Sequence, residues 1–180
     1  SAFLSVNCFA ASKVHLDHAN TDIFDEASLQ NGAKLFMNYC SGCHSISFMR
    51  YNRIAKDLGL SEEQVAKNLM FAGKKTGEAI TTAMPNDGAS NWFGGVPPDL
   101  SLVARSKGTD WIYTYLRSFY PDESRIFGVN NKVLINASMP DVLWSLRENQ
   151  SEAEFDNSVR DITNFLDYVG EPAKLIRLKL

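Results

Sequence analysis

The sequence predicts a mainly α domain with long loops, and three observations carry that reading. Apolar residues recur at spacings of three and four near both ends of the chain. Ser61 with Gln64, and Ser151 with Glu154, have the pattern of helix-opening capping boxes. The stretches between the periodic segments are broken by Gly and Pro. At 180 residues, 44% apolar and 22% charged, the chain is long enough for one domain with a substantial core, and nothing in it suggests disorder or a coiled coil. A formal charge of −3 and a pI near 5.6 argue against nucleic acid, whose phosphates call for a basic surface, and favour a basic protein partner.

Residues 1–12 are short, apolar and rich in small side chains, so they are read as the remnant of a signal peptide or a loosely ordered N-terminus, with Cys8 inert. The first helix is expected over Asp25–Tyr39, where Leu29, Ala33, Leu35 and Phe36 make an apolar face and Asp25 and Glu26 sit at the positive end of the helix dipole. A second helix opens at Ser61 and ends near Gly73, with a further turn or two over Gly77–Met84. Asn86–Pro98 is loop by its glycines and prolines. Trp111, Ile112, Tyr115, Leu116 and Phe119 give a helix over Asp110–Tyr120. Pro121–Pro140 lacks a helical period and holds a short strand at Lys132–Ile135. Ser151–Val169 is the closing helix, expected to cross the first where Gly32 permits close approach and Phe36 meets the Phe165–Tyr168 region. No apolar run reaches the 18 residues or so that a membrane span requires.

Straight after the first helix comes Cys40-Ser41-Gly42-Cys43-His44. This is a CxxCH motif: two thiols spaced to add to the two vinyl groups of a haem, with an imidazole alongside to reach the iron. A thioredoxin-like redox pair would want its attacking Cys at the start of a helix within a βαβ unit, whereas here a helix precedes the motif. A structural zinc would have to draw on Cys8, His15 or His18 near the N-terminus. Haem c, one per chain, is the expected cofactor. A helix at each end with a haem between them is the minimal plan of a class I cytochrome c-like haem domain.

The sixth iron position decides what such a haem does. A Met thioether closes the iron and favours electron transfer, while an open position allows gas sensing or peroxide chemistry. Of the five methionines, Met37 and Met49 lie too near the motif and Met70 sits on an apolar stripe. Met84 and Met139 each precede a proline that biases them to extended backbone, and the residues alone leave both open.

The strings SLQNGAKLFMNYCSGCHS, MRYNRIAKDLGL, GVPPDLSLVARSKGTDWIYTYLRSFY, NASMPDVLW and ITNFLDYVGEP, in that order, resemble the cytochrome c1 family, the haem subunits of ubiquinol:cytochrome c oxidoreductase (bc1) complexes of the respiratory chain, in proteobacterial style. The resemblance implies thioether bonds at Cys40 and Cys43, axial ligands at His44 and Met139, and a wall against the haem at Pro97–Ser101 that includes Pro98. It also implies a basic residue at a haem propionate, for which Arg105 and Lys107 both qualify. Trp92, Trp111 and Trp144 are expected to pack in the core or against the haem.

By the same resemblance, residues 13–172 form the haem domain and 173–180 the approach to a C-terminal transmembrane anchor. The domain would lie on the periplasmic side of a bacterial cytoplasmic membrane. Its partners would be cytochrome b, the Rieske iron–sulfur protein and a soluble cytochrome c. Between Asp141 and Glu171 eight acidic residues stand against Arg147 and Arg160, a stretch suited to steering a basic cytochrome or to a solvated helix face. The alternatives are a free periplasmic cytochrome serving another redox enzyme, and a haem sensor or peroxidase with an open iron.

Overall fold

Asp25 caps the first helix by accepting a hydrogen bond from the Ser28 amide at 3.0 Å, so the first turn has a partner for one of its free N–H groups. In the computed structural model, which describes residues 14–178, this helix is α1 (Glu26–Tyr39). It is followed by β1 (Ile46–Arg50), α2 (Tyr51–Asp57), α3 (Glu62–Asn68), β2 (Ala79–Ile80), α4 (Asn86–Phe93), α5 (Val103–Lys107) and α6 (Thr109–Arg117). Then come β3 (Phe119–Pro121), β4 (Val129–Asn131), α7 (Trp144–Asn149), α8 (Glu152–Gly170) and α9 (Lys174–Arg177).

The frame is the crossing of α1 on α8. Leu29, Ala33 and Phe36 of α1 and Phe155, Val159, Ile162 and Phe165 of α8 are buried, each set on one helical stripe. Gly32 marks the closest approach: a Cβ there would lie 2.0 Å from the carbonyl oxygen of Asp161 and 2.8 Å from Cβ of Phe165. Asp161 pins the crossing from its own side chain, accepting from Ser28 Oγ at 2.6 Å and Asn31 Nδ2 at 2.7 Å. One turn on, the Phe36 and Phe165 rings meet at 5.7 Å. Helix α6 also packs on α8, where Arg117 grips Asp156 through two nitrogens at 2.6 and 2.9 Å and reaches Asp17 at 2.8 Å.

The expected helices at both ends and the one over Asp110–Tyr120 are present, as are both capping boxes. Several local expectations are corrected. Helix α3 stops at Asn68, not near Gly73. The Gly77–Met84 segment supplies strand β2, paired antiparallel to β1 with Ile46 opposite Ile80, in place of a helical turn. Asn86–Pro98 is not all loop, because α4 occupies its first half and closes on Gly94 in the left-handed conformation, a common helix stop. The short strand lies at Val129–Asn131, three residues before its expected start, because it pairs with β3, where Phe119 and Tyr120 have already left α6. Helices α2, α5 and α7 are five to seven residues long, too short to set up a readable period. Trp92 and Trp144 are 58% and 61% exposed and so are not core residues; only Trp111 packs against the core.

Residues 1–12 lie outside the described residues. Among those described, no helix is long and apolar enough to cross a membrane.

Candidate functional site

Cys40 is the C-cap of α1, its N–H still donating to Phe36 O at 2.8 Å. The next turn folds on Cys40 O, which accepts from the amides of Cys43 at 3.0 Å and His44 at 2.9 Å. The motif is therefore a single turn continuing from the helix that makes the central crossing. Burial, followed by the proximity of Cys43, pushes the Cys40 thiol up to about 12, and burial also raises Cys43. Both thiols stay protonated at neutral pH. That is the reverse of the lowered pKa on which a thiol–disulfide catalyst depends. Among the described residues no three His, Cys, Asp or Glu side chains come together, and Cys8, on which a zinc site would draw, lies outside them.

His44 Nδ1 lies 2.8 Å from the carbonyl oxygen of Pro98. A carbonyl only accepts, so Nδ1 carries the proton, and the lone pair of the neutral ring is left on Nε2, the arrangement of a metal-ligating imidazole. Burial lowers the His44 pKa, while the Pro98 carbonyl and the charge of Asp99 oppose the drop, so the ring is neutral at physiological pH. The Pro98 segment is itself stitched to the chain just after the motif. Leu100 N donates to Ser45 O at 2.8 Å, Ser47 N to Asp99 Oδ2 at 3.0 Å, and Phe48 N to Ser101 Oγ at 3.1 Å.

Cys40, Cys43, His44, Pro98 and Met139 all line one cavity of about 410 Å³, whose remaining walls are almost wholly apolar and include Trp111, Tyr115 and Ile162. Val96 and Leu134, about half exposed, carry the lining to the surface. Met84 is not on its wall. Thr82, two residues earlier, donates from Oγ1 to Gly42 O at 2.8 Å and from its amide to Ser45 Oγ at 2.9 Å, which ties the Met84 segment to the outside of the motif turn. Arg105 is also off the wall, its guanidinium held by Glu171 at 3.1 Å. Lys107 is on it, exposed, with Nζ 5.5 Å above the Trp111 ring.

The fit to a haem rests on this donor set. Two thiols and an imidazole with a free Nε2 stand on one stretch of wall, a thioether is on the same cavity, a flat apolar macrocycle finds apolar surface throughout, and a cation marks the rim. The described residues therefore suit the group.

Three residues of this site went unrecognised in the sequence. Tyr115 reads there only as one more member of an apolar helical stripe, although its hydroxyl, once buried, must find a partner. Here that partner is Met139 Sδ at 3.5 Å. Asn130 and Asn131 are buried and organise the loop that carries Met139. Asn130 Oδ1 accepts from the amides of Asn131 and Asn136 at 2.9 and 2.8 Å, and Asn131 Oδ1 from those of Val133 and Leu134 at 2.8 and 3.1 Å.

The model of the Cytochrome C1 family matches residues 17–180. The chain is 48% identical over 193 residues to "Cytochrome c1" of Allochromatium vinosum, which covers 92% of this chain and 79% of that one. It is 41% identical over 188 residues to a protein of Nitrosomonas europaea named "Ammonia monooxygenase gamma subunit", covering 95% of this chain and 80% of that one. To "Cytochrome c1, heme protein, mitochondrial" of Schizosaccharomyces pombe it is 25% identical over 185 residues, 87% of this chain and 60% of that one.

Proposed function

The chain belongs to the cytochrome c1 family of haem electron-transfer proteins of the respiratory chain, and from that premise we propose that it is the haem subunit of a bc1 complex, passing one electron at a time from a Rieske iron–sulfur protein to a soluble cytochrome c. Cytochrome b is the further partner, and the haem domain works on the periplasmic side of a bacterial cytoplasmic membrane. One observation carries the reading at the level of residues: Cys40, Cys43, His44 and Met139 line a single apolar cavity.

In this reading Cys40 and Cys43 would hold the haem through thioethers, and His44 Nε2 and Met139 Sδ would bind its iron. The haem would supply a one-electron iron couple. The chain's own residues do the rest. Pro98 O fixes the imidazole proton on Nδ1, the apolar walls exclude water from the iron, and Lys107 offers a cation at the rim for a propionate. Arg105, committed to Glu171, is the weaker choice for that last role.

Salt bridges qualify the acidic stretch as a docking face. Asp141 is paired with Arg147, Asp156 with Arg117, Asp167 with Lys174, and Glu171 with both Arg105 and Arg177. Glu148 and Glu152 remain exposed for steering a basic partner.

Purification of the complete complex from membranes tests the assignment. Recovery of the chain with cytochrome b and the Rieske protein is the expected result, and recovery with neither would favour a free periplasmic cytochrome. Carbon monoxide added to the reduced protein should leave the spectrum of a closed iron unchanged; ready binding would point to a sensor or peroxidase.

A further inference from the structure

We propose that Tyr115 is a positioning residue for the distal ligand, its hydroxyl donating a hydrogen bond to Met139 Sδ that holds the thioether in place and raises the reduction potential of the site. The inference rests on the reading of Met139 as axial ligand and adds to it a residue that the CxxCH motif and the Met-Pro segment do not point to.

The geometry begins with the contact itself, hydroxyl oxygen to sulfur at 3.5 Å, within reach of a hydrogen bond to sulfur. Tyr115 is 8% exposed, and the walls around it are apolar, so little water competes for the hydroxyl. Its ring cannot swing away. Trp111 stacks on one face at 4.9 Å with the planes 7° apart, and Phe119 meets it edge-on at 5.3 Å. The backbone is equally fixed, since Tyr115 O accepts from Asn131 Nδ2 at 2.8 Å and from Ser118 N at 3.1 Å. The same Asn131, with Asn130, ties down the loop that leads to Met139. Donor and acceptor are thus set by one buried polar frame, so the contact does not depend on a flexible side chain finding its partner.

The chemical consequence follows from the electrons on sulfur. A thioether has two lone pairs. One serves a metal, and the other is free to accept the hydroxyl proton. Accepting that hydrogen bond draws density from the sulfur and weakens its donation to iron, more so to the electron-poor oxidised iron than to the reduced one. The reduced state is favoured, and the potential rises.

Tyr115→Phe in the holoprotein removes one oxygen and leaves the stack intact. An equilibrium redox titration of this variant should require a lower potential. At any fixed ambient potential the reduced-to-oxidised ratio falls roughly threefold to tenfold, tenfold being about 59 mV for a one-electron couple. The weak near-infrared absorption of iron–methionine ligation is expected to persist. A ratio within about twofold of the parent's, whether or not the melting temperature drops, overturns the proposal and leaves Tyr115 a packing residue. Met139→Leu is the separate arm: if that variant keeps the near-infrared band, the ligand assignment itself has failed, whatever Tyr115→Phe does. Should Tyr115→Phe not hold haem, proton NMR of the reduced parent decides. A cross-peak between the ring protons beside the Tyr115 hydroxyl and the Met139 methyl supports the contact, and its absence overturns it.

Discussion

Asn131 donates its side-chain amide to the carbonyl oxygen of Tyr115 at 2.8 Å while its side-chain oxygen accepts from the amides of Val133 and Leu134, so one fully buried residue joins the end of α6 to the loop that leads to Met139. Asn131→Ala would remove three hydrogen bonds to backbone groups: the Tyr115 carbonyl, which keeps its bond from Ser118 N, and the partly buried amides of Val133 and Leu134. At about 0.5–1.5 kcal/mol net for each such bond, the expected loss is about 2 kcal/mol. In a chain of this length that is about 4–8 °C in Tm. Thermal denaturation of the holoprotein reads it, and an unchanged Tm would show that the loop is held elsewhere.

Gly32→Val forces two methyl groups and a Cβ into the backbone of Asp161, where a Cβ alone would stand 2.0 Å from the carbonyl oxygen. Overpacking of this kind costs about 1–3 kcal/mol or more, so the melting temperature should fall clearly. Gly42→Ala is the matched contrast. Although it lies inside the CxxCH motif, nothing stands within 4 Å of its Cβ position, and haem content and Tm should both be retained. Equal tolerance at the two sites would contradict the crossing.

If Cys40 and Cys43 carry the haem through thioether bonds, as proposed, acid–acetone extraction should leave it on the protein, and release of most of it would remove that assignment. Met139→Leu should abolish the near-infrared methionine band, open the iron to carbon monoxide and lower the potential, whereas Met84→Leu should do none of these. The opposite pattern would move the distal ligand to Met84, against the tie between Thr82 and Gly42.

Electron transfer to a basic cytochrome c should slow as ionic strength rises, but only mildly, because four carboxylates of the Asp141–Glu171 stretch are already paired within the chain. Stopped-flow rates across a salt series give the slope. Charge reversal at Glu148 or Glu152 should reduce the second-order rate, and rates unaffected by both changes would assign docking to another face.

Asp110 ties the segment before α1 to α6, accepting from Ala19 N at 2.9 Å and facing His18 Nδ1 at 2.8 Å. The Ala19 amide above all holds its carboxyl below the usual range; burial opposes it, and the hydrogen bond and charge of His18 add to the lowering. A carboxylate with a depressed folded pKa contributes stability above its unfolded value near 3.9, and that contribution is lost as the pH falls through the folded pKa. Hydrogen exchange at the Ala19 amide should therefore lose protection in acid before α1 does. Asp110→Asn should abolish that pH dependence, and a profile identical to the parent's would exclude Asp110 as its source.

How much of this was readable beforehand depended on the range of the interaction. The two helices that cross were legible because caps and apolar stripes are local, and the motif because its three side chains share a turn. Helix α4 was hidden by its own composition, since Asn, Gly and Ser over Asn86–Phe93 read as loop until tertiary packing overrides propensity. The residues alone left Met84 and Met139 both open, and what distinguishes their surroundings is not local: Thr82 reaches back forty residues to Gly42, while Met139 lines the cavity. Asn130 and Asn131 gave no signal at all. Their work is to satisfy backbone groups of a neighbouring loop and helix, and a buried amide in that role looks in sequence like any polar loop residue.

The α1–α8 crossing also bears on how the chain tolerates change in length. Ser28 and Asp161 meet although they are 133 positions apart in the chain, so the crossing closes a very long loop. Closure entropy grows only logarithmically, and doubling such a loop costs about 0.6 kcal/mol. Insertions at exposed turns between the two helices, such as the one around Ile126, are therefore inexpensive so long as Gly32, Asp161 and the turn that follows Tyr39 are untouched. A chain in this architecture can acquire new surface segments, and with them new neighbours in an assembly, without renegotiating the geometry at its centre.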